Sequence, residues 1–200
     1  MTTLALTDQE LLSRLAGGSH DLATALLDRF GTAARALNAE AGDLLSCPGM
    51  DPSMIAAIET VRAAVAAVLR SDLPDRPLLS SWHAVLEYLR GTMAHLPVET
   101  FRVLYLDRKN RLILEETPWS GTADHVPCYP REIMRRALEL RASAILLAHN
   151  HPSGDASASQ ADILMTRRVV DAAAAVEILV HDHVIVAQSG HLSFRSAGLM

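Results

Sequence analysis

Ala144-Ile145-Leu146-Leu147-Ala148-His149-Asn150-His151-Pro152-Ser153-Gly154-Asp155 is the stretch on which the fold turns. Its first five residues are wholly apolar, as expected of a central strand covered on both faces. In an extended chain, residues two apart point to the same side, so His149 and His151 would present both imidazoles to one point at the strand's C-terminal edge. Pro152 and Gly154 then force a turn, and the next helix is expected to start near Ser159, with Asp162 three residues on. A carboxylate there would swing back to the same point, completing a two-His, one-Asp set with a fourth position left for water, the open arrangement of a catalytic zinc site. Ser159-Gln160-Ala161-Asp162 is also an N-terminal capping box, which needs no metal, and a His-x-His pair alone is common in loops. What is specific is the combination: His-x-His, seven residues, Ser, two residues, Asp, directly after an apolar strand.

Working outward, residues 160 to 175 read as a helix and Val176 to Ala187 as a strand. Upstream, Pro130 to Arg141 is an amphipathic helix with Pro130 suited to its first turn. Phe101 to Asp107 and Arg111 to Thr117 form a hairpin across the turn signal Arg108-Lys109-Asn110. Trp82 to Met93 is a helix. Strand, helix, strand, helix, strand describes a layered α/β domain. Residues 71–78 contain Pro74 and Pro77 and bury nothing, so they read as a linker. The expected organisation is therefore a helical domain over 1–70, the linker 71–78 and the α/β domain over 79–200. Within the first, Ile55 to Leu69 should be the longest helix.

Composition narrows the function classes. The chain has 200 residues, of which 50% are hydrophobic and 20% charged, so it has the apolar content to form a core and is not a disordered chain. Cys47 and Cys128 are the two cysteines, too few and too far apart for a disulfide framework or a cysteine zinc knuckle. A net charge of −5 counts against broad attraction to nucleic acid. No apolar run is expected to reach the ~18 residues needed to cross a bilayer, and the first residues lack a basic signal-peptide region. The expectation is a cytoplasmic protein with no membrane partner.

The segment from His149 to Asp162 resembles the JAMM (MPN-plus) metalloprotease motif, and its surroundings resemble the bacterial RadC family, long labelled DNA repair proteins. The likeness includes Glu99-Thr100-Phe101, Leu106-Asp107, Gly121-Thr122, Pro130-Arg131-Glu132, Ala137-Leu138, Asp182-His183 and Ser193-Phe194. It extends more loosely to residues 1–70, which look like that family's helix-hairpin-helix region. The resemblance implies a cytidine-deaminase-like three-layer α/β/α domain in which His149, His151 and Asp162 bind Zn²⁺. It further implies that Glu99 hydrogen-bonds the metal's water as general base and that Ser159 donates to the tetrahedral oxyanion. The residues alone do not separate Glu99 from Glu115 or Glu116. Asp182 and His183 would be either a pair orienting a ligand or a structural pair, while Asn150 and Ser153 shape the turn. Substrate specificity would sit in surface loops such as Pro118 to Tyr129.

Two functions follow from this. One is zinc-dependent hydrolysis of a peptide or isopeptide bond in a protein or peptide substrate. The other is a DNA repair or recombination accessory role with a structural or vestigial metal site. A DNA-binding hairpin holds phosphate with the backbone N–H groups of a Gly-x-Gly turn. Here the turn reads Pro48-Gly49-Met50-Asp51-Pro52, and residues 1–70 carry eight acids against five arginines, a net of −3. That balance gives no counterion-release drive toward DNA, and a helical protein-interaction or packing module is expected.

Overall fold

The computed structural model describes residues 6–71, 82–120 and 128–200. The chain divides into two compact units, Met1–Ala67 and Val68–Met200. Most of the expected linker and most of the Pro118 to Tyr129 loop, with Gly121-Thr122 inside it, lie outside the described residues.

Among its described residues the first unit has helices joined by turns and no strand. It contains α1 (Asp8–Leu15), α2 (His20–Phe30), α3 (Ala33–Asn38), α4 (Ala41–Leu45) and most of α5 (Pro52–Ser71). Thr7, Ser19 and Thr32 each cap the helix that follows with a side-chain oxygen, satisfying amide groups that have no partner within the helix. Leu12, Leu22, Leu26, Leu44 and Ile58 meet in its core. The long helix begins at Pro52, earlier than Ile55, because Asp51 accepts from the Ser53 and Met54 amides at 2.7 and 3.0 Å and so caps it. Its 20 residues have a window of mean hydropathy 1.5, long and apolar enough by length and composition to cross a bilayer. This corrects the expectation that charges interrupt every such run: Glu59, Arg62 and Arg70 are too sparse to do so.

The second unit contains α6 (Trp82–Met93), β1 (Thr100–Leu106), β2 (Leu112–Ser120), α7 (Pro130–Glu139), β3 (Ala144–Asn150), α8 (Gln160–Ala174), β4 (Leu179–Ala187) and β5 (Gly190–Ser193). The strands form one sheet in the order β2-β1-β3-β4-β5. Among the described strands only β3 and β4 run parallel, which requires a crossover, and α8 supplies it. β3 sits at the centre and is buried along its whole length. Its alternate residues serve two cores. Leu146 and Ala148 pack with Leu104 and Leu106 beneath Val85, Leu89 and Met93 of α6. Ile145 and Leu147 pack with Phe101 and Val103 beneath Ile133 and Ala137 of α7 and Val169 and Ala173 of α8. The result is helix, sheet, helix in three layers, with His149 carried on the α7/α8 face.

Three strand assignments differ from expectation, the first being β4, which begins at Leu179 rather than Val176 because residues 175–177 form a turn in which Glu177 adopts φ +58. β2 continues through Pro118 to Ser120, which an edge strand tolerates because only one of its sides has to donate to a neighbour. The four-residue β5 was not anticipated, since its Gly190-His191-Leu192-Ser193 lacks the length and alternation that mark a strand.

Candidate metal centre

His149 lies at the end of β3 and is fully buried; His151 follows the strand and is half-buried. Chain alternation turns Asn150, between them, to the opposite face. After His151 the chain reverses: the Gly154 amide donates to the His151 carbonyl at 3.1 Å, and Gly154 adopts φ +89, a conformation that disfavours any side chain. The reversal places the Asp155 carbonyl 2.9 Å from His151 Nδ1. A carbonyl only accepts, so His151 Nδ1 carries a hydrogen, and Nε2 is the ring atom that faces inward.

The inward atoms converge. His149 Nε2 is 3.0 Å from His151 Nε2 and 3.4 Å from Asp162 Oδ1, and His151 Nε2 is 3.7 Å from Asp162 Oδ2. Tetrahedral bonds of ~2.0–2.1 Å place ligand atoms about 3.3 Å apart, so these three residues fit a zinc-sized ion with shifts of a few tenths of an ångström. The Glu99 carboxylate completes the group, with donor atoms of all four residues within 4.8 Å of one another. Two imidazoles and carboxylate oxygens are a donor set suited to zinc and neighbouring divalent metals.

Asp162 caps α8 and also lies beside the histidines. Its Oδ2 accepts from the Ser159 backbone amide at 2.8 Å and from the Ser159 hydroxyl at 2.6 Å, forming a capping box at the start of α8, while Oδ1 faces His149. The cap fixes the carboxylate that the histidines require. Burial alone would raise its pKa, but His149, His151 and Ser159 hold it far below the usual carboxylate range. The neighbouring carboxylate correspondingly raises His151 above the ordinary imidazole value, against the effect of burial. The Ser159 hydroxyl hydrogen is committed to Asp162 in this arrangement.

Glu99 is 7% exposed and stands just ahead of β1. Glu115 and Glu116, its sequence rivals, are elsewhere. As neighbours on β2 they point to opposite faces. Glu115 accepts from the Tyr88 hydroxyl and pairs with Arg102 and Arg70. Glu116 pairs with Arg136. Neither belongs to the four-residue group.

Three residues take roles that the sequence left open or misassigned. Asn150 does more than shape the turn: its Oδ1 accepts from the Thr100 amide at 2.9 Å, and its Nδ2 donates to the Val98 carbonyl at 3.1 Å, clasping the backbone on both sides of Glu99. The Asp182-His183 pair splits between two faces. Asp182 accepts from the amides of His183 and Arg195 and from the Ser193 hydroxyl, tying β4 to the segment around β5. His183, fully buried, reaches His149 Nδ1 through Nε2 at 2.8 Å. Burial pushes its pKa well below the ordinary imidazole value.

The model of a family described as RadC-like JAB domain matches residues 79–199, which include all four members of the group. A UPF0758 protein of Rhodobacter capsulatus is 49% identical over 179 residues, covering 90% of this chain and 84% of the relative. A UPF0758 protein of Ruegeria pomeroyi is 45% identical over 202 residues, covering 98% of this chain and 90% of the relative. Matched by the family model over residues 79–199 and by these relatives along nearly its full length, the chain belongs to the RadC family.

Proposed function

We propose that this protein is a zinc-dependent metallopeptidase that hydrolyses a peptide or isopeptide bond. The observation that carries the proposal is the convergence of Glu99, His149, His151 and Asp162 within 4.8 Å at the C-terminal end of the central strand. Membership of a JAMM-related family adds to it. His149, His151 and Asp162 would hold the metal. When bound, zinc supplies Lewis acidity, polarising a carbonyl and lowering the pKa of a coordinated water toward ~7. Glu99 would accept the proton of the attacking water and deliver it to the departing amine. Its buried position, clasped by Asn150, keeps that carboxylate oriented between the two transfers. Ser159 would donate to the oxyanion, which requires its hydroxyl to turn away from Asp162 Oδ2.

A second reading rests on Glu99 standing in the same group. If its carboxylate were a fourth ligand, four protein ligands would close the site, as in a structural zinc centre. The protein would then fit an accessory role in DNA repair or recombination, with the helical unit as its contact surface. The cap on α5 argues against direct DNA contact, because Asp51 already occupies amides that a phosphate would use.

Metal analysis with a cleavage assay tests the proposal. About one zinc per chain should co-purify, His149→Ala and Asp162→Ala should each remove it, and a peptide library should acquire new termini only with the zinc-loaded protein. Stoichiometric zinc retained in His149→Ala would overturn the ligand set.

A further inference from the structure

Behind His149 the polar atoms form a closed circuit. His149 Nδ1 lies 2.8 Å from His183 Nε2, and His183 Nδ1 lies 2.6 Å from Thr166 Oγ1. Thr166 Oγ1 is in turn 2.6 Å from the backbone carbonyl of Asp162. The circuit therefore starts at one member of the metal group and ends on the backbone of another. It joins β3, β4 and α8.

Counting hydrogens gives every bond a direction. The Asp162 carbonyl only accepts, and two oxygens 2.6 Å apart with no hydrogen between them would repel, so the Thr166 hydroxyl donates there. That hydroxyl has no second hydrogen, so His183 Nδ1–H donates to Thr166. The two ring nitrogens of the fully buried His183 meet a hydroxyl and an imidazole, with phenyl rings beside it and no carboxylate bonded to it to balance a second proton, so its Nε2 is a bare acceptor and His149 Nδ1–H donates to it. His149 is left with its lone pair on Nε2, the atom 3.0 Å from His151 Nε2 and 3.4 Å from Asp162 Oδ1. Water cannot substitute for any of these bonds. His183 and Thr166 are fully buried, and the Phe101 and Phe194 rings lie 5.7 and 4.6 Å from the His183 ring.

We infer that Thr166 and His183 are positioning residues that fix His149 in the tautomer presenting Nε2 to a metal, with the proton direction set by the Asp162 backbone carbonyl. The inference rests on the reading of His149 as a metal ligand. Its consequence is that a methyl-for-hydroxyl exchange on α8, at a residue that is not itself a ligand, weakens metal binding. In Thr166→Val the His183 Nδ1–H has no acceptor. Moving that hydrogen to Nε2 lets His183 donate to His149 Nδ1, which drives His149 to the Nε2–H form and blocks its lone pair.

Two measurements test this. Nitrogen-15 NMR of histidine-labelled, zinc-free full-length protein should show His149 with a protonated Nδ1 and an unprotonated Nε2; the opposite assignment overturns the inference whether or not metal binds. Chelator competition should then give Thr166→Val a zinc affinity ~10–100-fold below wild type, the usual effect of losing a partner behind a metal ligand. Thr166→Ser, which keeps the oxygen, should stay within about threefold of wild type on the same scale. Equal affinities for Val and Ser overturn the inference while leaving the metal site intact. Wild-type protein that binds no zinc sinks the metal reading instead, and the NMR assignment still decides the tautomer. Should Thr166→Val fail to fold, the wild-type spectrum carries the test alone.

Discussion

The Asn150 carboxamide accepts from the Thr100 amide and donates to the Val98 carbonyl, so one side chain at the end of β3 holds the backbone on either side of Glu99. A carboxylate meant to work at a fixed point needs its main chain fixed first, and here the residue between the two histidines does that. Asn150→Ala would orphan a buried amide and a carbonyl, at about 1–3 kcal/mol for each unsatisfied group. The expected outcome is a lower urea midpoint and slower hydrolysis with zinc retained, because His149 and His151 are anchored through other contacts. Asn150→Asp should be no rescue, since a carboxylate cannot donate to Val98. An Asn150→Ala protein with unchanged stability and rate would show that the clasp has no role.

Glu99→Gln separates binding from chemistry. An amide can hydrogen-bond to water but cannot take its proton, so hydrolysis should fall by ~10²–10⁴ while zinc content and fold are unchanged. The same variant decides between the two readings of the site. If Glu99 is a fourth ligand closing a structural centre, the amide is a much poorer donor and zinc should be lost with it. Metal analysis and a thermal melt of the purified variant are sufficient, before any substrate is known.

Glu115 makes the converse case, a buried carboxylate with a structural duty. It is 7% exposed in its side chain and lies 2.9 Å from Arg102, whose own side chain is 11% exposed. Removing one partner of a buried pair leaves the other charge uncompensated, which typically costs ~3–5 kcal/mol. Glu115→Ala should therefore destabilise the protein strongly in a urea titration. Glu115→Gln, which retains hydrogen-bonding capacity toward Arg102, should lose less and should leave zinc affinity at the wild-type level. A change in zinc affinity with Glu115→Gln would mean that Glu115 communicates with the metal group after all.

What could be read from the sequence follows the range of each interaction. The central strand and the amphipathic α7 were legible because their patterning is local, and so was the His-x-His spacing. The choice of Glu99 over Glu115 and Glu116 was not, since it depends on which strand end faces β3 and on where Arg102 and Arg136 lie, contacts between residues distant in sequence. Asn150 looked like a turn residue because its clasp partners, Val98 and Thr100, are some fifty positions upstream. Asp182 and His183 looked like one pair because adjacency in sequence conceals that neighbours on a strand face opposite ways. Asp51 stands out in the sequence only as an acid in a turn that lacks the Gly-x-Gly pattern; the structure shows it as the cap of α5.

That cap bears on whether the helical unit can hold DNA. In a helical DNA-binding hairpin, phosphate is held by free amides at a helix start and by nearby basic side chains. At the start of α5 the Ser53 and Met54 amides both donate to Asp51, whose carboxyl is held below its ordinary pKa by the Ser53 hydroxyl and these amides and is ionised at neutral pH. A phosphate would have to displace an anion already bonded to the donors it needs. The surrounding residues 1–70 have a net charge of −3, so few counterions would be released in return. The full-length protein should therefore bind double-stranded DNA with a Kd of ~10⁻⁴ M or weaker at physiological salt, the level of ordinary non-specific contact. Asp51→Asn should bind DNA no more than a few-fold tighter, about the effect of one removed charge, because the amide oxygen still caps the helix. Micromolar, salt-dependent binding by the wild-type protein in a fluorescence anisotropy titration would refute this and favour the accessory role over the peptidase.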